Sequence, residues 1–209
     1  MYHYEYVTKK QAATYRKELI EIIKMVQDEV RDDFTFQFTF IGSSRRNMIT
    51  LDPTTNIGFD FDVNIEVNVD TKVYTPLKIR TILRSAFTRI SRQYDYDKCE
   101  DSTRVLTIKT IDPWHSRISH SCDIAIVYER DSGQQYIRYN KETRLYTWEK
   151  QEQMYNDLEK RAEFLKKRGH WGEVRDVYLS KKNSNDNPNK RSRSLYAETI
   201  NECYRRHHE

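Results

Sequence analysis

The sequence predicts an α/β protein of the α+β kind, with a mixed sheet flanked by helices and a short C-terminal helical segment. Three observations support this prediction. Apolar residues recur every three or four positions near the start of the chain, they alternate strictly with polar residues in later runs, and helical periodicity returns after Trp148.

The first two elements follow directly from their periodicity. Lys9–Val30 carries apolar residues at spacings of three and four, which predicts one face of a long amphipathic helix. Phe34–Ile41 alternates phenylalanine with threonine and glutamine, a period of two that is typical of a strand. This strand is predicted to end at Gly42-Ser43, because glycine permits an abrupt turn.

The middle of the chain continues the strand pattern. Phe59–Val69 separates apolar from polar residues at every position, which predicts a half-buried strand. Further elements are predicted by the same reasoning: a helix over Leu77–Tyr94, strands over Thr103–Ile111 and Cys122–Tyr128, a short strand pair around Gly133, and helices over Glu149–Lys167, Gly172–Ser180 and Leu195–His207, the last two separated by a turn-rich linker over Lys181–Arg193.

Length and composition limit the classes of protein. The 209 residues suffice for one catalytic core, predicted over residues 1–147, and a short helical extension over residues 148–209. The net charge of +4 is too small to indicate nucleic-acid binding by itself. Basic residues cluster between Lys181 and Arg206, where they either face a polyphosphate or form a solvated tail.

The cysteines, histidines and apolar runs exclude further classes. Three widely spaced cysteines form no CxxC pair, so neither a disulfide framework nor structural zinc is expected. His115, His120 and His170 have no partner at metal spacing and are interpreted as structural or surface residues. No run of about 18 apolar residues occurs, so we expect a cytoplasmic protein without a membrane partner.

Two aspartates are the first candidates for chemistry. Asp60 and Asp62 are two residues apart on a predicted strand, so both carboxylates leave the same face and are near enough to share a cation. Paired carboxylates repel each other, and a divalent metal ion offsets that repulsion. An Asp-x-Asp pair on an amphipathic strand is, however, more often only a solvated face.

Asp123 and a Gly-Ser pair strengthen the metal hypothesis. Asp123 is the only formal charge between Arg117 and Glu129, and a lone aspartate in an apolar strand is costly unless it is hydrogen-bonded or metal-bound. Gly42-Ser43 ends the preceding strand, where glycine lets the backbone approach a phosphate and a hydroxyl can ligate it.

This order of features resembles the DNA polymerase β-like nucleotidyltransferase superfamily. Residues 59–67 (FDFDVNIEV) and 121–127 (SCDIAIV) are similar to the branch that contains oligoadenylate synthetases, cyclic GMP-AMP synthase and bacterial cyclic-oligonucleotide synthases. Residues 174–181 (VRDVYLSK) and 194–198 (SLYAE) resemble the two later helices of that branch, which contact the triphosphate and the base.

The resemblance implies a role for each matched residue. Asp60, Asp62 and Asp123 would bind Mg²⁺ or Mn²⁺, and Asp123 would also help to activate the acceptor hydroxyl. A second set would bind the nucleoside triphosphate: Gly42, Ser43, Lys181 (or Lys182) and Ser194 for the triphosphate, and Tyr196 for the base, although in the simplest register Leu195 takes the aromatic position.

The expected function is therefore transfer of a nucleotide from a nucleoside triphosphate, such as ATP, to an acceptor hydroxyl. The sequence does not distinguish whether the acceptor is a nucleotide, an RNA end, a small molecule or a protein. The synthetases continue into a large helical domain, so we expect an acceptor groove that is much reduced, that a second copy or partner chain supplies, or that is absent. The alternatives are a catalytically silent binding module of a defence or toxin-antitoxin system, and an RNA-binding protein that uses the basic C-terminal segment.

Overall fold

A computed structural model describes residues 3–114, 116–130, 133–151, 157–187 and 189–208. The chain divides into two units, each treated separately below. The sheet unit consists of residues 7–49 and 55–151, and the helical unit of residues 1–6, 50–54 and 152–209. The predicted division after residue 147 falls inside the last strand of the sheet unit.

The sheet unit contains one mixed sheet, as the sequence predicts, and seven strands form it. Labelled in chain order together with a short pair in the helical unit, the strands are β1 (Glu5–Tyr6), β2 (Thr35–Ile41), β3 (Thr50–Leu51), β4 (Phe59–Asn68), β5 (Glu100–Asp101), β6 (Val105–Asp112), β7 (Arg117–Tyr128), β8 (Gln135–Asn140) and β9 (Leu145–Lys150). The sheet order is β2-β4-β7-β6-β5, and β8 pairs with both β7 and β9. Only β4 and β7 pair in parallel among the described strands.

The helices of the sheet unit have clear sequence causes. They are α1 (Lys9–Glu29), the one-turn α2 (Gly42–Arg46) and α3 (Pro76–Ser91), which continues into a 3₁₀ turn over Arg92–Tyr94. Thr8 and Gln11 form a capping box at the start of α1, and Thr75 caps α3 ahead of Pro76. The predicted helices over Lys9–Val30 and Leu77–Tyr94 are thus confirmed.

The core lies on one face of the sheet. Alternate residues of β4, such as Phe61, Val63 and Ile65, are fully buried. The apolar stripes of α1 and α3 are also fully buried, with Ile23 and Leu83 as examples, and these two helices pack against each other. Because side chains alternate along a strand, the even-numbered residues of β4 face away from this core.

One predicted element is wrong in the structure. The sequence predicts a helix over Glu149–Lys167, but residues 145–150 form β9, an antiparallel partner of β8. Tyr146 and Trp148 alternate with polar residues, a period of two that is typical of a strand, but the run is only six residues long. The helix that follows is α4 (Leu158–Lys167), and residues 152–156 lie outside the described residues.

The helical unit contains the remaining elements. Besides α4 it has α5 (Trp171–Asn183) and α6 (Ser192–His207), which confirms the last two predicted helices, and β1 pairs with β3. The predicted linker is shorter than expected, because both helices extend into it. Among the described residues, no helix has the length and apolar character needed to cross a membrane.

Candidate active site

The three predicted aspartates lie side by side on the central pair of parallel strands. Asp60 and Asp62 lie on β4, on the face opposite the buried Phe61. Asp62 is the register partner of Asp123 on β7, and Asp60 is the register partner of Ser121. Since neighbouring strands are about 4.8 Å apart, this register brings all three carboxylates into one patch, called the aspartate face below.

Two hydroxyl groups orient these carboxylates. The Thr107 hydroxyl of β6 donates a hydrogen bond of 2.6 Å to Oδ1 of Asp123. The Ser121 hydroxyl donates to Oδ1 of Asp60. The alternation in β7 places Ser121 on the same face as Asp123, so it could have been found from the sequence. Thr107 carries no such signal, because its position depends on the pairing of β6 with β7.

The Gly-Ser pair meets the aspartate face directly. Ile41, the last residue of β2, is the register partner of Asp62, and the chain then turns into α2. Gly42 has φ +63°, and a Cβ atom there would overlap the carboxylate of Asp62. Only glycine therefore combines this turn with this close approach. Ser43 follows in the first turn of α2 and is half-buried.

The electrostatics of this patch are unbalanced. Burial raises the pKa of Asp62 to about 6, with further contributions from the negative charges of Asp123 and Asp60, while Arg46 lowers it. Burial also raises the pKa of Asp123, against the hydrogen bond from Thr107, which lowers it. Negative charge is thus concentrated where little of it is compensated.

Such a patch fits a hard divalent cation. Mg²⁺ takes oxygen ligands, keeps several waters and binds through a few carboxylates together with substrate phosphates. The three aspartates offer that donor set, and the raised pKa values of Asp62 and Asp123 indicate that an added positive charge would be stabilising. Within the described part of the chain, however, these three are not a group whose ligand atoms all lie within 4.8 Å of one another.

Two bacterial cyclic-dinucleotide synthases of known structure are similar to this chain in fold. The DncV cyclic AMP-GMP synthase of Vibrio cholerae, in complex with a linear intermediate, matches 90% of this chain and 53% of its own at 13% identity and a TM-score of 0.59. The CdnE c-di-GMP synthase of Capnocytophaga granulosa matches 94% of this chain and 61% of its own, at 15% identity and a TM-score of 0.59. The chain has the nucleotidyltransferase fold.

A further DncV structure shows how much of each chain the likeness covers. A DncV structure with nonhydrolyzable GTP matches 87% of this chain and 50% of its own, at 15% identity and a TM-score of 0.58. The chain thus spans about half to three fifths of the length of these structures. The sequence matches no protein-family model and no curated protein.

The remaining predicted residues of the nucleotidyltransferase site belong to the helical unit. Lys181, at the C-terminal end of α5, forms an ion pair of 2.8 Å with Glu202. Ser194, in the first turn of α6, is half-buried. Tyr196 is only 3% exposed and packs edge-on against Tyr178, so stacking on a base would require its ring to move. The roles of all three stay predictions.

Proposed function

We propose that this chain transfers a nucleotide from a nucleoside triphosphate to an acceptor hydroxyl and releases pyrophosphate, with divalent metal ions held by the aspartate face. One observation supports this most strongly. Asp62 and Asp123 are register partners on adjacent parallel strands, and Asp60 lies on the same face one pleat away. A solvated strand face would not require two half-buried carboxylates to adjoin each other.

The chemical step needs little from the protein beyond position and charge. The acceptor oxygen attacks the α-phosphorus, the bond from that phosphorus to the bridging oxygen of the β-phosphate breaks, and pyrophosphate leaves with the bonding electrons. Mg²⁺ or Mn²⁺, when bound, stabilises the attacking and leaving oxygens of such an in-line displacement.

Asp123 is suited to receive the proton of the acceptor hydroxyl. Its Oδ1 accepts the hydrogen bond from Thr107, which fixes the carboxylate and directs Oδ2 as the proton acceptor. Burial raises its pKa, and a carboxylate with a raised pKa is a stronger base at neutral pH. Thr107 acts here as a positioning residue, since it contacts Asp123 and not the reacting atoms.

The triphosphate would lie beside the turn that follows β2. Gly42 brings the backbone against Asp62 without a side chain between them, and Ser43 presents a hydroxyl in the same turn. Lys181, Ser194 and Tyr196 remain the residues that we predict to complete binding of the triphosphate and base. We also retain the expectation of a cytoplasmic protein.

The experiment that tests this function is a pyrophosphate-release assay with each of the four ribonucleoside triphosphates and Mg²⁺ or Mn²⁺. We expect metal-dependent release that is lost when Asp60→Ala and Asp62→Ala are combined. Glu66→Gln is the matched control, because Glu66 is an exposed carboxylate on the same face of β4. Mass spectrometry of the products then identifies the acceptor and the linkage.

A negative result in this assay would contradict the proposed activity. If no triphosphate yields pyrophosphate, even with RNA, small-molecule and protein acceptors added, the chain is not an active transferase. Triphosphate binding that persists without turnover would then favour the catalytically silent binding module.

A further inference from the structure

A second group of metal-ligating side chains lies in the helical unit. His170 is the N-cap residue of α5, Glu173 lies one turn further along α5, and His207 lies in the last turn of α6. Their potential ligand atoms all lie within 4.8 Å of one another. The sequence spacing gives His170 no metal partner, and it is the packing of α5 on α6 that brings His207 to it.

Two contacts join the side chains of this group. Oε2 of Glu173 lies 2.5 Å from Nε2 of His207, and the His207 ring stacks on that of His170 with centroids 3.6 Å apart and planes inclined by 11°. A salt bridge explains the first contact but not the second. Each imidazole carries ring nitrogens that can serve as metal ligands.

Arg206 leaves one carboxylate oxygen for a ligand role. Its guanidinium donates to Oε1 of Glu173 at 3.0 Å, whereas Oε2 faces His207. Metal-binding carboxylates are commonly held by such an outer hydrogen bond, which fixes their orientation. The side chains of His207 and Glu173 are 27% and 32% exposed, so a water molecule can reach the group and serve as a further ligand.

The chemistry of the donors selects the metal. Two imidazole nitrogens and one carboxylate oxygen are a common ligand set for Zn²⁺, at bond lengths of about 2.0–2.2 Å. Tetrahedral bonds of that length place the ligand atoms about 3.4 Å apart. Side-chain rotations must therefore bring the ligand atoms closer and open the stack of the two rings, so that a nitrogen of each turns toward the ion. Mg²⁺ would not compete strongly, because it prefers oxygen ligands alone.

We propose that His170, Glu173 and His207 bind one zinc-class divalent metal ion, with water as the fourth ligand, and so join the first turn of α5 to the last turn of α6. The ion replaces any proton shared between His207 and Glu173 and leaves Arg206 in place as the group that orients the carboxylate. This proposal does not depend on the transferase function, since it uses none of the aspartates.

The test is Zn²⁺ titration calorimetry on untagged full-length protein, together with the visible absorption of bound Co²⁺. We expect one Zn²⁺ per chain and the intense absorption bands of tetrahedral Co²⁺. At a hundredfold excess of Zn²⁺ over its Kd, we also expect Tm to rise by about 5–10 °C.

His170→Asn is the decisive variant. Asparagine is a favourable N-cap residue, so the helix start is preserved, and the contacts of His207 and Arg206 with Glu173 stay intact. We expect it to weaken Zn²⁺ binding by about 100-fold and to reduce the Tm rise to about 1 °C at the same Zn²⁺ concentration. His208→Asn is the matched control, because His208 is the next residue but lies outside the group. It should bind Zn²⁺ as the wild type does.

Two results would overturn the proposal. One is the absence of saturable Zn²⁺ and Co²⁺ binding to the wild-type chain, which would leave the group as a proton-mediated contact between α5 and α6. The other is Zn²⁺ binding of the same affinity in His170→Asn as in the wild type, which would place the ion elsewhere.

Discussion

The aspartate face and the histidine group differ in how their charges are balanced. Asp60, Asp62 and Asp123 concentrate negative charge, and their burial raises the pKa values of Asp62 and Asp123. Glu173, by contrast, is already paired with Arg206 and His207. The first patch is thus built to receive added positive charge, and the second is held together by the protein's own charges.

This difference indicates two kinds of metal role. A patch of uncompensated carboxylates binds a hard cation together with the phosphates of a substrate, and so suits an ion that arrives and leaves with its nucleotide. A histidine-carboxylate set joining two helices suits a resident ion of the zinc class. Substitutions in each group should therefore leave the metal chemistry of the other unchanged.

The largest effect is expected from Asp123→Asn. The neutral amide removes both a proposed metal ligand and the proposed proton acceptor. We expect the transition state to lose about 4 kcal/mol of stabilisation, which corresponds to a fall of about 10³-fold in kcat. Pyrophosphate release in single-turnover conditions measures it. Zn²⁺ binding by the histidine group should be unaffected, and a variant that lost both would contradict the independence of the two groups.

Gly42→Ala should reduce kcat/KM by about 100-fold, since a 1 Å displacement at an active site has effects of that size. The added methyl group would push against the Asp62 carboxylate at a backbone φ of +63°. Gly133→Ala is the control, because Gly133 also has a positive φ of +102° but has no atom within 4 Å of an added Cβ. Equal losses in both variants would show that backbone strain, and not the approach to Asp62, is responsible.

Thr107→Val should lower kcat by about tenfold, the smaller end of the range for groups that orient a metal ligand. Valine keeps the shape of the side chain but removes the 2.6 Å hydrogen bond to Asp123. The pH profile of kcat should shift upward, because loss of this bond raises the pKa of Asp123 further. Thr107→Ser should restore both rate and profile; if it does not, the methyl group of Thr107 matters rather than its hydroxyl.

The smallest effect is expected from Asp62→Asn, which should change the free energy of unfolding. The folded state raises the pKa of Asp62 from 3.8 to about 6, so the folded protein binds this proton more tightly than the unfolded chain does. The free energy of unfolding therefore falls as pH rises from about 4 to 6 and stays reduced above that range. In EDTA at pH 7.5, Asp62→Asn should stabilise the protein by an amount on the order of 1–3 kcal/mol.

Thermal unfolding at two pH values checks this expectation. At pH 7.5 the Tm of Asp62→Asn should exceed that of the wild type by about 2–4 °C for each kcal/mol, and at pH 4 the two should converge. A lower Tm at pH 7.5 would mean that the ionised carboxylate is stabilised by partners in the fold, and would contradict the picture of uncompensated charge.

Local periodicity accounts for most of what the sequence predicted correctly. The alternation in Phe59–Val69 placed Asp60 and Asp62 on one face, and the spacing of apolar residues located α1 and α3. Both signals depend on residues close in sequence. The resemblance of short motifs to nucleotidyltransferases predicted the fold, and the structural likeness to DncV and CdnE confirms that fold.

Features that depend on register or packing could not be predicted in this way. The pairing of Asp62 with Asp123 requires β4 and β7 to be parallel neighbours, and the contact of Thr107 with Asp123 requires the register of β6. His170 and His207 meet only because two helices pack together. The strand β9 was predicted as helix because its six residues adjoin a long helical pattern.

The central claim is that the aspartate face binds metal together with a triphosphate, and Mn²⁺ binding measured by electron paramagnetic resonance tests it most directly. The titration is made with a nonhydrolysable triphosphate in the His170→Asn background, so that the histidine group does not contribute. We predict two Mn²⁺ ions per chain, and their loss when Asp60→Asn and Asp62→Asn are added. Mn²⁺ binding that is absent, or that survives the loss of both aspartates, would contradict the account.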